Sequence, residues 1–260
     1  MPGTRSNPHR STDARLTRIA DGVHQLTHGG VNCYLLEEDD RVTIVDAALP
    51  RTWGPLQQAL AVLGRQPEDV AALVLTHAHF DHVGFARRLA AEYDVPVYAH
   101  RLEHHLAAHP YDYAHERSRL PYPILHPAAL PTLAAMARAG ALQVRGIDEV
   151  LDLPPGEPLD VPGRPTVLFV PGHTFGHCAL HLPDRDIVLT GDALVTLDPY
   201  TGRLGPRIVA GAATADSVAN LRSLDVLETT FARIVLPGHG DAWTGGIRSA
   251  VSLARVAGAA

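Results

Sequence analysis

Residues 71–82 read Ala-Ala-Leu-Val-Leu-Thr-His-Ala-His-Phe-Asp-His. A compact apolar run of strand length leads directly into four metal-ligating side chains within six positions. In extended backbone, residues two apart face the same side, so His77 and His79 point together at one metal. The turn that follows swings Asp81 and His82 toward a second. Imidazole and carboxylate donors without thiolate suit zinc first, with manganese, iron or cobalt as the alternatives.

Three later segments end apolar runs in the same manner: Pro171-Gly172-His173, Thr190-Gly191-Asp192 and Pro237-Gly238-His239-Gly240. A glycine beside a ligand lets the backbone turn sharply and approach the site closely. Upstream, residues 23–46 alternate Val/Leu/Ile/Thr runs with a Gly-Gly and an acidic turn, the pattern of a β-meander. Amphipathic or Ala-rich stretches at 53–63, 82–91, 215–229 and 247–257 predict helices. Residues 71–75, 95–100, 149–153, 166–170, 178–182, 186–190 and 233–236 predict strands. Strand blocks flanked by helices in each half predict an α+β chain: two sheets face to face, with helices outside.

Two segments stand apart. Residues 1–18 are polar and rich in Pro, Ser, Thr and Arg, which predicts a flexible N-terminal tail ahead of a single domain at 19–260. Residues 101–145 carry Ala-rich helical pieces interrupted by prolines at 110, 121, 123, 127 and 131. They predict a helical insertion that acts as a lid, and its Tyr111, Tyr113 and Tyr122 are candidate substrate contacts.

The composition excludes several classes. No lysine occurs, the formal net charge is −6, and no basic stripe interleaves with aromatics, so nucleic acid is not an expected partner. No run approaches the ~20 apolar residues of a membrane span. Cysteine appears only at Cys33 and Cys178, outside any paired spacing, which together with the missing signal-peptide core predicts a cytoplasmic protein. His105 and His109 have helical i, i+4 spacing but lack the His-Glu-x-x-His pattern, and read as a solvated helix face.

Taken together, Asp46, the run from Thr76 to His82, Pro-Gly-His-Thr-Phe-Gly-His at 171–177, Thr-Gly-Asp-Ala at 190–193 and Pro-Gly-His-Gly at 237–240 resemble the five signature motifs of the metallo-β-lactamase superfamily. The resemblance implies a four-layer αββα sandwich with a dinuclear site, two Zn²⁺ by preference, at the sheet edges. It assigns His77, His79 and His173 to the first metal and Asp81, His82 and His239 to the second, with Asp192 bridging. It also gives Asp46 a supporting place behind the ligands, and His177 is expected to act similarly.

The implied chemistry is attack of a metal-bridging hydroxide on the carbonyl of a small ester, thioester or lactone. Asp81 and Asp192 are the catalytic carboxylates, Asp81 orienting the nucleophile and Asp192 fixing the metal pair. The complete ligand set is similar to that of glyoxalase II and the lactonases. The chain departs from glyoxalase II in lacking a long C-terminal helical region, and from quorum-quenching lactonases in carrying Val195 where they carry tyrosine. The alternative on the same scaffold is a non-haem iron oxidoreductase of the persulfide dioxygenase kind, although the Arg-Thr-Asp run usual there is missing.

Overall fold

The computed structural model describes residues 14–260. The first half builds a seven-stranded sheet in sequence order: β1 (Arg15–Ala20), β2 (Val23–His28), β3 (Val31–Glu38), β4 (Arg41–Val45), β5 (Val70–Val74), β6 (Val97–Ala99) and β7 (Leu151–Asp152). The second half supplies β8 (Thr166–Phe169), β9 (Cys178–Leu182), β10 (Ile187–Gly191), β11 (Val195–Leu197), β12 (Leu204–Arg207) and β13 (Ile234–Pro237). Of these, β13, β10, β9 and β8 form a four-stranded sheet in that order, and β11 pairs with β12 as a separate hairpin.

Side-chain parity makes this a sandwich. Tyr34, Leu36, Val45 and Val74 of the first sheet pack against Val167, Leu180, Leu189 and Leu236 of the second in one buried cluster. Their neighbours along the strands point the opposite way. Leu35, Ile44 and Leu73 meet helices α1 (Trp53–Val62) and α2 (Ala86–Tyr93) through Trp53, Leu56, Leu60 and Leu89. Across the molecule, Ala179, Val188 and Val235 meet Leu224, Leu227, Ile247 and Val251, which belong to the long helices Ser217–Glu228 and Ile247–Ala257. Both faces of each sheet are therefore covered, which is why the central strands read as nearly continuous apolar runs. The layers are α, β, β, α.

Three expectations change. Residues 15–18, assigned to the tail, belong to β1 and pair with β2, Arg15 lying opposite Thr27; Leu16 packs against the helix-facing cluster and Ile19 against the inter-sheet cluster. The remainder of the expected tail, residues 1–13, lies outside the described residues. The helix expected from His82 begins only at Ala86, because Gly84 presses against the 48–49 backbone, where a Cβ would meet Ala48 O and Leu49 Cα at 2.4 Å. The β11–β12 hairpin was not expected, although its Asp-Pro-Tyr-Thr-Gly link is a turn signal.

The insertion is helical in short pieces: α3 (His104–Ala108), α4 (Tyr122–Leu125) and α5 (Leu130–Arg138), followed later in the chain by α6 (Ser217–Glu228) and α7 (Ile247–Ala257). Its prolines start helices more than they break them. Pro123 and Pro131 occupy the first turns of α4 and α5, where the missing N–H costs nothing. No helix among the described residues is long and apolar enough to cross a membrane.

Leu189→Ala tests the inter-sheet layer. Leu189 is fully buried between the sheets, so its truncation is expected to lower unfolding free energy by about 2–5 kcal/mol in chemical denaturation. A loss of under ~1 kcal/mol would mean that the sheets do not pack through this residue.

Candidate metal centre

Strand direction gathers the site. β4 and β5 run parallel, as do β10 and β13, while β8 and β10 both run antiparallel to β9 and hence parallel to each other. The loops leaving β4, β5, β8, β10 and β13 therefore emerge at one edge of the sandwich, carrying Asp46, His77–His82, His173, Asp192 and His239. Two backbone hydrogen bonds tie the sheets together there: Cys178 N–H to Thr76 O at 2.8 Å and Asn32 N–H to Gly238 O at 2.9 Å.

All seven expected ligand residues converge. They form three overlapping groups, His77/His79/His173, His77/His82/Asp192 and Asp81/His82/His239, and within each group one donor atom per residue lies within 4.8 Å of the others. Asp192 sits at the centre. Its Oδ2 is 3.2 Å from His239 Nε2 and 3.6 Å from His173 Nε2, and its Oδ1 is 3.6 Å from His82 Nε2. The Asp81 carboxylate lies 3.2 Å from His239 Nε2.

The chain also fixes which nitrogen of each ring faces inward. His82 Nδ1 bonds Asp46 Oδ2 at 2.9 Å, His239 Nδ1 bonds Gly30 O at 2.8 Å, and His173 Nδ1 is 3.4 Å from the Thr214 hydroxyl. The Thr76 hydroxyl donates to Asp46 at 2.8 Å and so accepts from His77 Nδ1 at 3.1 Å. In each case the outer nitrogen is engaged and Nε2 is turned into the cluster. His79 is the exception, presenting Nδ1 at 3.0 Å from His173 Nε2. His77 Nε2, His82 Nε2, His239 Nε2 and Asp192 Oδ1 are buried without hydrogen-bond partners.

Electrostatics point the same way. Burial, reinforced by neighbouring imidazoles, holds His77 and His173 well below the ordinary histidine pKa, and burial does so for His79. At His239 burial also opposes protonation, yet Asp192 and Asp81 outweigh it and raise the pKa to about 10. At His82, Asp46 and Asp192 overcome burial in the same sense. The carboxylates thus draw positive charge into a cluster whose other rings are neutral, and that combination fits divalent cations.

Asp46 and His177 stand behind the cluster. Asp46 has a φ of 61° just past β4 and accepts hydrogen bonds from Thr76 N–H, the Thr76 hydroxyl and His82, thereby linking the two strand ends. His177 supports the cluster through the backbone: its Nε2 accepts the N–H of Asp192 at 3.0 Å and its ring stacks on His77. The glycines are required by proximity. A Cβ on Gly238 would fall 2.0 Å from Asp192 Oδ1 and 2.8 Å from His82 Cε1.

Sequence reasoning missed Glu103. It lies just inside the insertion, is 1 % exposed, and accepts Ala78 N–H at 2.9 Å and Gly176 N–H at 2.8 Å. One carboxylate therefore clamps the His77–His82 loop to the 171–177 loop. Asn32 was also missed; its amide donates to Pro237 O and Gly240 O, both at 2.8 Å, and pins the loop of His239. Neither residue ligates or sits in a motif, so only their spatial partners reveal them.

The three candidate tyrosines separate. Tyr113 is buried with its ring 4.1 Å from that of His79, and its hydroxyl is 3.0 Å from that of Tyr200. Tyr111 stacks on Phe80 and spends its hydroxyl on Ala141 O and Val144 N–H. Tyr122 is buried where the insertion meets the later chain: it packs against Ala210 and Ala212, with its hydroxyl donated to Ala260 O. A cleft of ~180 Å³ opens beside the site, lined by Leu102, Leu106, Tyr113, Thr174, Phe175 and Ala215 among others. His105 and His109 are exposed, with His105 paired to Asp112.

A sequence profile described as the metallo-beta-lactamase superfamily matches residues 26–239. The chain belongs to that superfamily. It is 28% identical over 184 residues to the probable metallo-hydrolase YflN of Bacillus subtilis, covering 69% of this chain and 66% of that protein. Among solved structures it is similar to the metallo-β-lactamase family protein TTHA1429 of Thermus thermophilus, with a TM-score of 0.65, 28% identity, and coverage of 91% of this chain and 79% of that one. TTHA1623, solved in a di-iron-bound form, aligns with a TM-score of 0.55 and 28% identity over 84% of this chain and 92% of its own.

Glu103→Gln replaces one acceptor oxygen with an NH₂ that faces a backbone N–H. Unfolding free energy is expected to fall by about 1.5–3 kcal/mol, the range for hydrogen bonds to charged groups, and metal retention under a chelator should weaken. An unchanged denaturation midpoint together with unchanged metal retention would show that the two loops hold their positions without the clamp.

Proposed function

We propose that this metal-dependent hydrolase of the metallo-β-lactamase superfamily holds two divalent ions and cleaves a small ester, thioester or lactone. The observation that carries the reading is the Asp192 carboxylate at the centre of the three donor groups, within 3.6 Å of His82, His173 and His239. His77, His79 and His173 are assigned to one ion, Asp81, His82 and His239 to the other, and Asp192 to both. When bound, the ions supply Lewis acidity, polarising a carbonyl and lowering the pKa of a water to about 7.

The chain's own residues do the remaining work. Asp81 projects its carboxylate into the cluster from the loop after β5 and is assigned to orient the attacking water and take up its proton. Asp192 holds the spacing of the two donor sets, with its backbone fixed by His177. Tyr113, whose ring covers His79, excludes water from one side and shares the cleft wall with Leu102 and Phe175. That mostly apolar lining suits an acyl group. Residues 101–145 are assigned as the lid that shapes this cleft, with residues 15–260 forming one domain around it.

Zinc is the preferred metal for this donor set. The di-iron form of TTHA1623 keeps iron as the second reading, and with it a non-haem iron oxidoreductase. Metal analysis of protein expressed without added zinc, paired with oxygen uptake, separates the two.

Zinc-supplemented protein is expected to hold about two ions per chain and to hydrolyse at least one member of a panel of thioesters, lactones and activated esters. Asp192→Ala should retain the fold by circular dichroism while activity falls by about two or more orders of magnitude and the second ion is lost. A single ion in the wild type, or near-normal turnover in Asp192→Ala, would refute the dinuclear assignment.

A further inference from the structure

Arg119 in the insertion is a half-buried cation beside the metal centre that has no counter-charge among the described residues. Its guanidinium carbon lies 4.1 Å over the Tyr113 ring, and that ring is 4.1 Å from His79. Two such steps bound the distance from guanidinium to the His79 ring at about 8 Å. Its Nε is buried with no hydrogen-bond partner, and no carboxylate among the described residues forms an ion pair with it. Elsewhere comparable arginines are occupied: Arg65 pairs with Glu37 and Asp40, and Arg207 bonds Gly205 O and Leu204 O. A partly desolvated guanidinium with a free donor is costly unless an acceptor arrives to fill it.

We infer that Arg119 binds a carboxylate carried by the substrate, so that the ester, thioester or lactone cleaved here is anionic. The inference rests on the hydrolytic reading above and narrows its substrate class. The planar donor fork of arginine matches a carboxylate in two-pronged geometry, whereas a lysine would offer only a point charge. The Tyr113 ring beneath it holds the fork at one place, and the same ring lines the cleft assigned to the carbon chain. The ~8 Å bound to His79 sets the scale: the carboxylate sits a few carbons from the scissile carbonyl.

The test compares two esters of equal length, mono(4-nitrophenyl) glutarate and 4-nitrophenyl pentanoate, on the zinc-loaded protein. Wild type is expected to favour the anionic ester by about tenfold or more in kcat/KM, the effect of one charge-assisted pair. In Arg119→Gln the ratio should collapse toward unity, mainly through KM, and Arg119→Lys should fall between them. A binding arm measures stabilisation of the same zinc-loaded proteins by glutarate and by pentanoate, with glutarate favoured in wild type only. A wild-type ratio near one in both arms, or a ratio unchanged in Arg119→Gln, overturns the assignment. If neither ester is turned over, the reaction class fails for these esters while the binding arm still decides Arg119. Should Arg119→Gln lose its fold, the reduced ratio expected of Arg119→Lys is decisive in its place.

Discussion

Seven candidate ligand side chains sit at the edge of the sandwich almost entirely removed from water, and their inward-facing nitrogens and oxygens have too few protein partners to offset that desolvation. A divalent cation bound among these donors offsets that cost. The fold is arranged to make that binding specific: outer ring nitrogens are tied to Asp46, Thr76, Thr214 and Gly30, so that each of these imidazoles turns its remaining lone pair toward the same small volume. The same arrangement explains the glycines, since the cluster is tight enough that a single methyl at Gly238 would collide with Asp192.

Support for the cluster comes from both sheets and from the insertion. Asp46 joins the ends of β4 and β5, Asn32 ties β3 to the loop after β13, and His177 steadies the backbone of Asp192. Glu103 closes the circuit from the insertion side by bonding both ligand loops. The insertion is thus more than a cover laid over a finished site. Its first residues are part of the scaffold, while Tyr113 further along covers His79 and carries the Arg119 guanidinium over its ring.

Much of this was legible in the sequence for a physical reason. Strands buried on both faces read as near-continuous apolar runs, and a candidate ligand follows β5, β8, β10 and β13, so the strand at 70–74 and the motifs at His77–His82, His173, Asp192 and His239 stand out by local pattern. The αββα layering followed from where strand and helix blocks fall. Less legible were segments whose burial depends on a distant neighbour. β1 is polar in sequence and owes its place to pairing with β2, and the late start of α2 reflects the close approach of Gly84 to residues 48–49.

The sequence by itself determined the superfamily, the order of the layers and which histidines and aspartates converge at the sheet edge, because ligation chemistry and strand periodicity are written in residue type and spacing. Only the tertiary structure decided that Tyr113 covers His79 while Tyr122 packs against Ala210 and Ala212, that Glu103 clamps two loops far apart in the chain, and that Arg119 has no counter-charge among the described residues. These are properties of pairs of residues brought together across the chain. Their energies come from desolvation and from partners that no local pattern records.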